Sequence, residues 1–162
     1  MKTYKAPWGK TLKYASLFLI VLTVCWVVGA SFLPASVPAW SVHLTRWILP
    51  VIVVACLPFM VLGYEVTEDA IWIRRPLWKT RLSRTGLKSA TVMPKAMRHA
   101  LRTCGNGGAF SFTGWFWNTH LGSFSAYVTD LERTVVLRFE KRTVVVSPGE
   151  TEDFVNELSK NI

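Results

Sequence analysis

The sequence is poor in acid. Its 162 residues hold 10 Asp and Glu against 19 Lys and Arg, a formal net charge of +9. Between Asp69 and Asp130 there is no acidic residue, although Arg74, Arg75, Lys79, Arg81, Arg84, Lys88, Lys95, Arg98 and Arg102 all fall there. Charge is scarce altogether, at 18% of residues with 51% hydrophobic. A soluble domain carries about 25% charged residues, and a disordered tail would be far less apolar. Cysteine and histidine number three each. His99, Cys104 and His120 show no metal-ligand spacing, with no Cys-x-x-Cys and no His-x-x-x-His, so no metal site is expected. Cys25 and Cys56 fall in apolar runs and behave there as small apolar residues, so no disulfide is expected. No Ser/His/Asp set stands out and neither apolar run holds an acid, so neither catalytic residues nor a cofactor are expected. Gly105 to Gly108 lacks the Lys-Ser/Thr of a phosphate loop and reads as a turn.

What the chain does have is two long uncharged runs. Ala15 to Leu33 spans about 28 Å as a helix, close to the hydrocarbon thickness of a bilayer. Trp47 to Tyr64 is a second run of similar length. The expected organisation is a basic cytoplasmic tail (1–14), a transmembrane helix (15–33), an external loop (34–46), a second transmembrane helix (47–64) and a folded domain (65–162). Lys2, Lys5, Lys10 and Lys13 before Val28-Gly29-Ala30 also suit a cleavable signal sequence, against which stands the length of the apolar stretch. Lysines precede the first run and arginines follow the second, while the loop between holds only Arg46. Positive-inside bias therefore predicts an inner-membrane protein with both termini cytoplasmic. Pro58 predicts a kink in the second span.

From Tyr64 the pattern changes to short alternating runs. YEVT and AIWIRR flank a Glu68-Asp69 turn, and WKTRLS, LKSATVM, AFSF with WFW, SFSAYVT, TVVLRF and TVVV follow. These predict a meander of about seven strands, with Val135, Leu137 and Phe139 on one side and Val136 and Arg138 on the other. A helix closes the chain: Ser147 is the expected cap, Pro148 the first helical residue and Glu150 the capping-box partner, with Phe154, Leu158 and Ile162 on one face.

The stretch RTCGNGGAFSFTGWFWNTHLGSFSAYVTD, with TVVLRF and TVVVSPGETEDFVNEL, resembles the bacterial PH-domain family found in small membrane proteins. The resemblance rests on the turn at 105–108, Gly114 with its flanking aromatics, Leu121-Gly122, the Tyr127-to-Asp130 run and the Ser147-Pro148 helix entry. It covers Tyr64 to Ile162. It implies a PH-like fold of two near-orthogonal antiparallel sheets capped by the C-terminal helix, and a tendency to homo-oligomers, but no one activity. Eukaryotic phosphoinositide-binding PH domains carry basic residues in the first hairpin turn. Here that turn is Glu68-Asp69, which argues against stereospecific inositol-phosphate binding.

The function expected is a non-enzymatic interaction and assembly module at the inner leaflet. The alternative is an anionic-lipid sensor signalling through its transmembrane helices. Arg74, Arg75, Lys79, Arg81, Arg84 and Lys88 are the expected membrane-facing set, since a basic residue near an anionic leaflet gains about 1 kcal/mol. Topogenic and solvating charge is the competing reading of the same residues. Trp115 and Trp117 share a strand face and are the expected interface, with core packing as the alternative. Anionic lipid, a second copy of the chain and a membrane-protein partner are the expected contacts. Nucleic acid is not, for want of a recognition helix.

Overall fold

The computed structural model describes residues 1–34 and 36–160. Its N-terminus departs from the expected basic tail. Lys2–Lys5 form a strand, β1, antiparallel to β2, Gly63–Val66, with Tyr4 opposite Tyr64. Only one apolar residue of KTYK marks it, and Tyr4 is buried at 3% exposure. Between the two strands lie α1 (Lys10–Gly29) and α2 (Ala39–Cys56), followed by a 3-10 turn at Leu57–Phe59. A helical hairpin is thus inserted between two neighbouring strands of one sheet.

The helices also sit earlier in the chain than the apolar runs suggest. α2 ends at Cys56, the 3-10 turn at Leu57–Phe59 follows, and β2 takes Gly63–Val66. Pro58 therefore belongs to the closing 3-10 turn, and the proline inside the helix is Pro50. In α1, Leu12 and Ser16 are buried, so its first two turns dock on the domain. Beyond them the side chains of both helices find almost no protein. Both are long and apolar enough to cross a membrane. Trp26 Nε1 donates to the Thr45 carbonyl at 2.6 Å, tying the far ends of the hairpin together.

The domain has two sheets. The smaller is completed by β3 (Ala70–Arg74) and β4 (Lys79–Ser83), in the order β1-β2-β3-β4. The larger contains β5 (Leu87–Val92), β6 (Leu101–Gly107), β7 (Phe112–Asn118), β8 (Gly122–Val128), β9 (Val135–Phe139) and β10 (Thr143–Val146). Its order is β5-β9-β10-β8-β7-β6. Among the described residues the two sheets hold ten strands, β1 lying before the region read as a meander, and β10 runs parallel to β8, so the meander is not wholly antiparallel. β6 was hidden by its glycines. Gly105 pairs with Gly114 of β7, both have φ in the left-handed half (+111° and +138°), and a Cβ on either would strike the partner strand's backbone. Glycine is required at both positions.

The C-terminal helix, α3, runs Thr151–Ser159, and among the described residues no side chain caps its N-terminus. The expected cap, Ser147, faces inward instead. Its Oγ accepts from the Thr129 and Asp130 amides at 2.8 and 3.2 Å. Phe154 and Leu158 are fully buried, and Ile162 lies outside the described residues. Those two side chains fill the space between the sheets with Tyr4, Tyr64, Ile73 and Leu137. A second core covers the opposite face of the larger sheet, where Phe116, Phe124, Val136 and Val145 meet Met97 of the β5–β6 connection. Val136 and Val145 in one core, with Val135, Leu137 and Val144 in the other, follow the period of two.

Candidate functional site

The basic residues separate into groups once the strands are in place. Pairing sets Arg74 opposite Lys79 and Trp72 opposite Arg81, so all four share the outer face of the smaller sheet. Glu65 sits among them and is nearly buried. Lys79 Nζ reaches its carboxylate at 2.8 Å and Arg74 Nε at 3.4 Å. The Arg81 guanidinium lies 5.9 Å from the Trp72 ring centroid. The face is therefore a cation cluster built around one carboxylate, with charge to spare.

Arg75 leaves that face. Its Nε donates to Thr80 Oγ1 at 3.0 Å and its Nη1 to the Phe59 carbonyl at 3.2 Å. Burial pushes its pKa below the ordinary arginine value. Arg84 serves the fold: it donates to the Thr67 carbonyl at 3.0 Å and to that of Leu158 at 2.9 Å, a cation at the C-terminal end of α3 where the helix dipole favours it. Lys88 belongs to the larger sheet and lies 3.8 Å from Glu140. The six expected residues thus form an outer trio of Arg74, Lys79 and Arg81, with Arg75, Arg84 and Lys88 elsewhere.

What the sequence reading passed over is the tip joining β3 to β4. Between Arg74 and Lys79 it presents Leu77 at 75% exposure and Trp78 at 40%. Trp78 also packs edge-on against Phe59 at 5.3 Å, which fixes the tip beside the end of the helical hairpin. The Arg75 amide donates to the Trp78 carbonyl at 3.0 Å, closing the turn. An apolar pair flanked by cations is the pattern of a group that sits at a membrane–water interface. The signal was legible as Arg-Arg-Pro-Leu-Trp-Lys, but only the register shows that both cations lie on one face.

Trp115 and Trp117 are both exposed, at 56% and 43%, while Phe116 between them is buried at 4%. Leu101, opposite Trp117 in β6, is exposed as well. β6 is the edge strand of the larger sheet. Its outer hydrogen-bonding edge and the Trp pair together make an open, partly apolar border. Phe110 lies just before β7: its amide donates to Ser16 Oγ at 3.2 Å and its ring packs near Trp8, holding α1 to the domain.

Among the described residues, no group of three His, Cys, Asp or Glu side chains converges to hold a metal. Residues 62–162 match the family model of the bacterial PH domain. No curated protein and no solved structure matches the chain.

Proposed function

From the premise that the chain belongs to the bacterial PH-domain family, whose members are in general non-catalytic modules for protein or lipid contacts, we propose that it is a membrane-anchored interaction and assembly module of the inner leaflet. The helical hairpin is the anchor. The outer trio Arg74, Lys79 and Arg81, with Leu77 and Trp78, is the side turned toward anionic lipid. The β6 edge with Trp115 and Trp117 is the surface for a second copy or another membrane protein.

The observation that carries this reading is the position of the hairpin tip. Trp78 touches Phe59, which closes the last turn of the second apolar helix, so cations and exposed apolar groups sit where that helix would leave the bilayer. Attraction to an anionic leaflet is lost beyond a Debye length of ~8 Å, and only groups this close contribute. The pairing of β1 with β2 supports a common side for both ends of the helical hairpin, and the surplus of Lys and Arg flanking it supports the cytoplasmic side.

The test is hydrogen exchange on the full chain in nanodiscs of zwitterionic or partly anionic lipid. Amides of residues 74–79 are expected to exchange more slowly in the anionic discs, and the difference to shrink with salt and with Leu77→Ser/Trp78→Ser. Equal exchange in both lipids would overturn the leaflet contact.

A further inference from the structure

Between the helical hairpin and the larger sheet lies a cavity of ≈620 Å³ whose walls are divided by chemistry. Leu19 of α1, with Ile52 and Ala55 of α2 and Phe59 beyond it, supply an apolar side. Arg75 and Arg102 enter from the domain, and no carboxylate is among the described residues around it. Ile52 is itself 54% exposed, so the apolar wall runs on into the bare outer surface of the helices. Gly105 and Gly114 form part of the domain wall.

Arg75 is presented to this space in a fixed pose. Two of its nitrogens are bonded to Thr80 and Phe59, and the rings of Phe59, Trp78 and Tyr127 surround its guanidinium at 5.8, 5.7 and 5.4 Å. Among the described residues no acceptor bonds its Nη2. A guanidinium that is partly desolvated and retains an open donor gains most from an anionic oxygen. Arg102 is exposed and, among the described residues, held by one 3.2 Å bond from Nη1 to the Gly105 carbonyl, so it is free to swing onto the same anion.

We infer that this cavity takes one anionic phospholipid from the surrounding leaflet, with an acyl chain along Leu19, Ile52 and Phe59 and the phosphate on Arg75 and Arg102. The volume is that of a site for a drug-sized ligand, enough for one chain and the phosphate while the second chain stays in the bilayer. A free phosphate would leave the apolar wall wet, and a partner's apolar helix would bury two cations without an anion. Neither suits both walls. The inference rests on the helices spanning the membrane, as proposed above.

The experiment is native mass spectrometry of the full chain released from nanodiscs of mixed phosphatidylcholine and phosphatidylglycerol. One phosphatidylglycerol per chain should survive conditions that strip the loosely held lipid. Arg102→Gln should lower the preference for phosphatidylglycerol at least about tenfold. Ala55→Phe, at an exposed position, should displace lipid of either headgroup, whereas Arg138→Gln, outside the cavity, should change nothing. Millimolar glycerol 3-phosphate should not compete. Lipid-free protein, retention blind to headgroup, retention unaffected by Ala55→Phe, or displacement by glycerol 3-phosphate would each overturn the assignment. Carbonate extraction separates the two readings: protein washed off the membrane sinks the anchor itself, while anchored protein without lipid sinks the pocket alone.

Discussion

Tyr64 shows how much of this domain hangs on single polar atoms. Its side chain is fully buried, yet its hydroxyl donates to the Tyr127 carbonyl at 2.6 Å and accepts from the Ser147 amide at 3.0 Å. It thereby joins the smaller sheet to β8 and to the chain leaving β10. Tyr64→Phe keeps the ring and orphans both backbone groups. Each buried group left unpaired costs about 1–3 kcal/mol, so chemical denaturation in detergent should show a loss of that order, while Tyr14→Phe, on the exposed face of α1, should show none. Equal stability of the two variants would mean that water replaces the hydroxyl. Ser147 teaches the same lesson about legibility. In sequence, Ser-Pro-Gly-Glu spells a helix cap, but its hydroxyl is drawn inward by the Thr129 and Asp130 amides. Local propensity lost to buried amides brought there by non-local pairing.

At the scale of elements, the strand β1 is the part least visible in the sequence and the most consequential. The strands β2–β5 and β7–β10 were readable because apolar residues, alternating or in short runs, fall between turn signals there, with Leu82 of β4 joined by Trp78 just before it. β1 has one such residue, and β6 exposes or half-buries every one of its own, so neither could announce a core face. What holds β1 is a side-chain clip to α3. Lys2 Nζ reaches the two Asp153 oxygens at 2.7 and 2.6 Å, and the Tyr4 ring meets Phe154 edge-on at 5.1 Å. The bond from Lys2 holds the Asp153 carboxyl below the usual carboxylate range and raises the Lys2 amine in turn. Burial pushes the Tyr4 hydroxyl up to about 12. A lowered carboxyl stabilises the fold above its unfolded pKa of ~3.9 and ceases to do so as pH falls through its folded value. The raised Lys2 and Tyr4 groups contribute fully below ~10, and that contribution is lost as pH rises through their folded values. β1 should therefore stay attached between about pH 4 and 10 and loosen outside that window. A fluorophore on Thr3→Cys, in a chain without other cysteines, should show high anisotropy at pH 7 and a fall at pH 2.5 and 12. Asp153→Asn should abolish the acid limb and weaken the alkaline one, since Lys2 then loses the carboxylate that raises it. Anisotropy flat across the range would show that main-chain pairing with β2, not the clip, retains the strand.

For the whole molecule, the arrangement of the apolar helices within the β-domain matters more than either part. The two long runs and the β-rich remainder were legible from hydropathy and alternation, and the C-terminal helix from the spacing of Phe154 and Leu158. What could not be read was that the helical hairpin leaves and re-enters one sheet through adjacent strands, because pairing between residues 2–5 and 63–66 has no local signature. The open β6 edge and the exposed Trp115 and Trp117 bear on assembly in the same way. Single-molecule photobleaching in nanodiscs should give a stoichiometry above one for the full chain and a lower one for Trp115→Ser/Trp117→Ser. A monomer at membrane densities would contradict the assembly half of the proposal. The most direct test of the central claim, a domain held at the cytoplasmic face by a helical hairpin whose two ends meet there, is thiol labelling of intact cells with a membrane-impermeant reagent. Single cysteines at Ser36, Thr3 and Leu77 would be compared in a chain otherwise free of cysteine. Labelling of Ser36→Cys in intact cells, with Thr3→Cys and Leu77→Cys labelled only after permeabilisation, is the predicted result. Labelling of Thr3→Cys and Leu77→Cys from opposite sides, or of Leu77→Cys from outside, would contradict it.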